Sequence, residues 1–134
     1  MTASEAIAPE ETPFDRIGGR STVDRLVARF YDLMEFDPAY AELRGLHDRD
    51  LGPMRESLAG FLTGWLGGPR DWFEAHPGKC MMSMHATVPV DLKTARQWVH
   101  AMARAIEAAE VESGLAAQMN QAFARMAANM ASRG

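Results

Sequence analysis

"GKCMMSMHATVPV", residues 78–90, sets one cysteine, three methionines and one histidine within six consecutive positions, then closes on Pro89 and Val90. Three chemistries compete for this stretch. It is a copper site, a redox thiol, or an apolar wall from which a single imidazole projects. Thiolate and thioether are soft ligands suited to Cu(I), yet three methionines crowded on one turn cannot all converge on one ion. The other seven of the ten methionines are spread along the chain, six of them in helical patterns, which is the usage of a flexible core filler. A reactive thiol needs a base and an electropositive setting. Lys79 adjoins Cys80, and His76 and His85 are close in sequence, but no nucleophile motif accompanies them. The third reading, a flat apolar cofactor held by His85, depends on what the flanking segments build.

Downstream of Pro89, Asp91 is a plausible cap. Leu92, Ala95, Val99, Met102, Ile106 and Ala109 then alternate three and four apart, which predicts a long helix with one buried stripe. Ser113-Gly114 is expected to break it, and Leu115, Met119, Ala122, Phe123, Met126 and Met130 mark a last helix. Upstream, Val23, Leu26, Val27, Phe30 and Met34 predict a helix over 21–35, with Ser21 and Asp24 spaced like a capping box. Asp37-Pro38 ends it, and a helical turn is expected over 38–44. A further helix starts near Asp50, with Pro53 in its first turn, where a missing N–H costs little. Its stripe is Met54, Leu58, Phe61, Leu62 and Trp65, and Gly67-Gly68-Pro69 stops it. Residues 67–79, with Trp72 and Phe73, read as a long irregular loop, a feature usually kept for function. No alternating stretch asks to be a strand. The fold class is all-α.

The 134 residues suffice for one domain with a real core. Residues 1–12 read as a disordered tail and 13–134 as the domain. A net charge of −4 and the lack of any basic run argue against nucleic acid as a partner. A lone cysteine allows no internal disulfide. The start "MTASEAIAPEETP" lacks the basic and apolar regions of a signal peptide, and no apolar run is long enough to span a membrane. The expected compartment is the reducing cytoplasm.

The motifs also come in a telling order. "RIGG" precedes the first helix, "FYDLM" lies near its end, and "LHDRDL", "FLTGWLGGP", an aromatic loop, His85 and "RQWVHAM" follow. From about Phe14 to Phe123 this order resembles the group II truncated haemoglobins. The resemblance implies a truncated globin fold, a two-over-two helical sandwich enclosing haem b, with His85 as the iron's proximal ligand and Met81 in the proximal wall. It further implies that Tyr31 and Trp98 face a distal ligand, with His47 at the pocket's edge. Met54 takes the place of the distal histidine of other globins. Leu58, Phe61, Trp65, Trp72 and Met102 line or close the slot. Taken alone, Tyr31 reads as an edge residue of an amphipathic helix, Trp98 as core and His47 as a solvated loop residue. His76 and His100 read as structural. Where relatives carry basic residues toward the haem propionates, this chain has Ser57 and Met82-Ser83-Met84, leaving Lys79 and Arg55 as the nearest cations in sequence.

The function so implied is binding of O2, CO and NO at ferrous iron. Hydrogen bonds from Tyr31 and Trp98 to a polar ligand slow its release, which suits nitric oxide dioxygenation or peroxide reduction better than oxygen delivery. No flavin or nicotinamide motif is present, so such chemistry calls for an external reductase. Either a monomer or a homodimer fits. The reading from another class is a haem-free helical interaction or sensor module that keeps the globin fold.

Overall fold

The computed structural model describes residues 11–47, 49–78 and 88–133. Among the described residues there is no strand. The helices are α1 (Pro13–Ile17), α2 (Arg20–Phe36), a 3-10 turn (Pro38–Tyr40), α3 (Ala41–Gly45), α4 (Gly52–Trp65), α5 (Asp71–Ala75), α6 (Leu92–Ala108) and α7 (Ser113–Arg133). Helix α6 packs along α7, α2 packs on both α4 and α6, and α5 covers α4. The result is two helix pairs, α2 with α4 and α6 with α7, laid one over the other. Their apolar stripes meet in a core where Leu26, Phe30, Met34, Leu62, Met102, Ile106, Leu115, Met119 and Phe123 are buried.

Most of the helical stripes read from the sequence are buried, although Leu92 at the head of the α6 stripe is 57% exposed, and the punctuation differs. Ser21 and Asp24 do not form a capping box. Gly18 and Gly19 both adopt positive φ, +105° and +76°, so the chain reverses within two residues and α2 is under way at Arg20. Asp24 instead accepts from Arg20 Nε at 2.9 Å. The capping box sits one helix earlier. Thr12 Oγ1 accepts from Asp15 N at 3.1 Å, and Thr12 N donates to Asp15 Oδ2 at 3.4 Å, opening α1. At α6 the expected cap holds: Asp91 and Thr94 bond reciprocally at 2.8 and 3.1 Å.

Two further expectations are corrected. Residues 67–79 are not wholly irregular, since Trp72 and Phe73 belong to α5. That short helix is anchored by a glycine groove on α4. A Cβ on Gly64 would lie 2.5 Å from the Phe73 ring, and one on Gly60 would lie 3.0 Å from Trp72. The end of α6 also falls earlier than Ser113-Gly114. It stops at Ala108, Glu110 turns with φ +61°, and Ser113 already opens α7. The Glu112 carboxylate accepts from Leu115 N at 2.7 Å and so satisfies a donor of α7's first turn. It also pairs with Arg16 at 2.7 Å, fastening α1 to that corner.

Candidate functional site

A partly enclosed cavity opens between α3, α6, α7 and residues 88–90. Leu43, Leu46, His47, Met54, Val88, Val90, Thr94, Ala95, Trp98, Met126, Ala127 and Met130 line it. His47 and Trp98 carry the ring nitrogens among these lining residues, and Thr94 Oγ1 is already spent on Asp91. Helix α6 presents Thr94, Ala95 and Trp98 at one face because they stand at i, i+1 and i+4. Such walls suit a flat, apolar group.

Trp98 is held edge-on by Phe30 (5.8 Å between centroids) and Phe123 (5.3 Å). Trp98 lines the cavity, and among the described residues its indole N–H donates to no acceptor. Tyr31 lies behind the wall, only 3% exposed. Its hydroxyl donates to the Met54 carbonyl at 3.4 Å, and its ring meets His47 edge-on at 6.2 Å. Burial pushes the phenol up to about 12, with the Arg55 guanidinium, 5.6 Å from the ring centre, acting the other way. Tyr31 is therefore a neutral donor at ordinary pH. His47 Nδ1 lies 2.9 Å from the Leu43 carbonyl. A carbonyl can only accept, so Nδ1 carries the proton of that bond.

The structure thus brings Tyr31, His47, Met54 and Trp98 to one corner. It groups Leu58, Phe61, Trp65 and Trp72 elsewhere, off the cavity lining. Phe61 contacts Trp65 and Trp72 at 6.5 and 5.6 Å, and Trp65 stacks on Phe123 at 5.0 Å. Phe123 also touches Trp98, so this aromatic column runs from α5 to the back of the cavity wall. Met102 is fully buried. Lys79, Met81 and His85 lie outside the described residues, as do Cys80, Met82, Ser83, Met84 and residues 1–10. Ser57 Oγ accepts from the Trp72 indole at 3.1 Å, and Arg55 is paired with Asp32 at 3.4 Å. His76 stacks on Trp72 at 4.4 Å with Nδ1 on the Trp72 carbonyl, and His100 Nδ1 meets the Tyr40 hydroxyl at 2.7 Å.

Sequence reading missed the wall supplied by Leu43, Leu46, Val88, Val90, Thr94, Ala95, Met126, Ala127 and Met130. Met126 and Met130 were visible as stripe residues four apart. Nothing in the stripe says that its far end faces a cavity and not the core.

Stacked helix pairs around an apolar cavity, with a tryptophan donor and a buried tyrosine at one end, define a globin. A family model described as bacterial-like globin matches residues 12–132, and the chain belongs to that family. It is similar to the group II 2-on-2 hemoglobin of the plant pathogen Agrobacterium tumefaciens, at 29% identity and TM-score 0.88, over 92% of this chain and 96% of that one. It is also similar to the cold-adapted truncated hemoglobin of the Antarctic marine bacterium Pseudoalteromonas haloplanktis (28%, TM-score 0.85, 90% and 97%). A third likeness is to the hemoglobin of the thermophilic phototrophic bacterium Chloroflexus aurantiacus (31%, TM-score 0.82, 90% and 98%). Family membership implies haem binding. Among the described residues no helix is long and apolar enough to cross a membrane.

Proposed function

We propose that this globin holds haem b through His85 and binds O2, CO and NO beside Trp98, Tyr31 and His47, for chemistry on the ligand with an external reductase and not for oxygen delivery. The cavity carries this reading. Its wall joins Met54 and Trp98, at the positions the resemblance marks as distal, to Val88, three residues after His85. Haem supplies a ferrous iron that accepts diatomic ligands. The chain supplies the surroundings. Trp98 lines a low-polarity space, where a hydrogen bond from its indole N–H to a partly negative guest would count for more than in water. Tyr31 adds a second donor once its hydroxyl leaves the Met54 carbonyl. The apolar walls keep water away from both. Donors of this kind retain a polar ligand and so favour nitric oxide dioxygenation or peroxide reduction. The lone Cys80 suits a reducing cytoplasm.

The test is a visible spectrum of the purified protein, with His85→Gly beside it. The parent should show a strong Soret band. His85→Gly should lose most haem and regain it on adding imidazole. A colourless parent that cannot be reconstituted would overturn the reading in favour of a haem-free interaction module. Unchanged haem binding in His85→Gly, with loss in His76→Ala, would move the ligand elsewhere.

A further inference from the structure

We propose that Arg44 is the positioning residue of the distal site, holding His47 at the cavity by clamping the backbone carbonyls of His47 and Arg49. The proposal rests on the reading of His47 as a distal residue. Arg44 stands in α3, and its guanidinium spends all three nitrogens on one small region. Nε faces the Glu35 carboxylate on α2 at 3.4 Å. Nη1 donates to the His47 carbonyl at 3.4 Å, and Nη2 donates to the Arg49 carbonyl at 3.1 Å. The backbone adds to the clamp: His47 N donates to the Arg44 carbonyl at 3.1 Å.

These contacts answer a local need. Between the end of α3 and the start of α4 the carbonyls of His47 and Arg49 have left the helical ladder, and unpaired backbone acceptors are costly. One planar cation satisfies both and ties them to α2. A guanidinium can do this because its N–H groups diverge in a fixed plane, whereas a lysine ammonium on a flexible stem reaches one such partner well. The His47 ring is pinned by its own Nδ1 bond to Leu43. The Leu43 carbonyl thus holds the ring and Arg44 holds the backbone. Because Glu35 lies in the same helix as Tyr31, the clamp also sets His47 against the Tyr31 ring.

Arg44 does not line the cavity, so its influence on a ligand should pass through His47. The experiment uses holoprotein variants Arg44→Ala, Arg44→Lys, His47→Phe and the double variant Arg44→Ala/His47→Phe. The readouts are the C–O stretching band of the carbon monoxide complex, the O2 release rate and the melting temperature. His47→Phe should shift the band and the release rate. Arg44→Ala should broaden or split the band toward the His47→Phe position and change O2 release in the same direction, by about fivefold. Arg44→Lys should fall between Arg44→Ala and the parent. The double variant should match His47→Phe alone, since a residue acting through another gives no added effect once that other is gone. The proposal is overturned if Arg44→Ala and Arg44→Lys lower only the melting temperature and leave the band in place, or if the two substitutions add. An unmoved band in His47→Phe removes the distal role of His47 and the route from Arg44 with it. A normal Soret band in every variant separates either failure from failure of the haem reading.

Discussion

Trp98 and Tyr31 carry the same kind of donor but start from different positions. The Trp98 indole is uncommitted among the described residues, whereas the Tyr31 hydroxyl must first give up the Met54 carbonyl at 3.4 Å. Removing one hydrogen bond to a partly charged ligand should cost about 1.5–3 kcal/mol, roughly ten- to a hundredfold in affinity. Trp98→Phe should therefore speed O2 release by that order and CO release much less, as stopped-flow displacement would measure. Equal effects on the two gases would point to steric gating. Tyr31→Phe should have the smaller effect, because the parent already spends part of that bond on Met54. Tyr31 also has a signature in alkali. A phenol near 12 when folded, against its ordinary 10 when unfolded, keeps its proton longer in the native state. Between pH 10 and 12 the unfolded chain ionises first, so stability falls as pH rises through that window. A melting curve should show a shallower alkaline fall for Tyr31→Phe than for the parent.

The elements divide into those a stripe announces and those only packing explains. Helices α2, α4, α6 and α7 were legible because each repeats apolar residues over three turns or more, long enough for the 3.6 period to stand out. Helix α5 is five residues long, too short for a period, and exists because Trp72 and Phe73 enter the Gly60/Gly64 groove of α4. Gly64→Ala should thus drive a methyl into the Phe73 ring and destabilise the fold by about 1–3 kcal/mol. Gly45→Ala, whose Cβ would meet nothing within 4 Å, should be neutral or stabilise by up to about 1 kcal/mol. Thermal denaturation of the two variants compares them directly; equal losses would mean that the groove does not hold α5. The candidate site divides in the same way. Motif order singled out Tyr31, His47, Met54 and Trp98, which do converge. It could not single out Met126 and Met130, because turning a stripe toward a cavity is decided by where α7 lies on α6.

At the scale of the molecule, apolar surface and not charge encloses the cavity. Three cations of α3, α4 and α6 are already matched: Arg44 with Glu35 at 3.4 Å, Arg55 with Asp32 at 3.4 Å and Lys93 with Glu42 at 3.1 Å. An incoming propionate would have to compete with a carboxylate for each. Ser57 accepts from Trp72 and offers no charge. With His85 as the proposed ligand, haem retention should accordingly rest on that bond and on packing against Trp98, Met54, Val88 and Met126. Exposed ion pairs weaken with salt while apolar burial does not. The rate of haem transfer to an apomyoglobin acceptor, at low and high ionic strength, puts this to the test with Lys79→Ala and Met126→Ala beside the parent. Met126→Ala withdraws a flexible side chain from the cavity wall, a loss of about 1–2 kcal/mol of apolar contact, or roughly tenfold faster transfer. Lys79→Ala and added salt should each change the rate by less than about twofold, since the screened term is small where packing dominates. A steep salt dependence, or collapse of haem binding on losing Lys79, would show instead that a cation anchors the propionates and that the apolar walls only shape the slot.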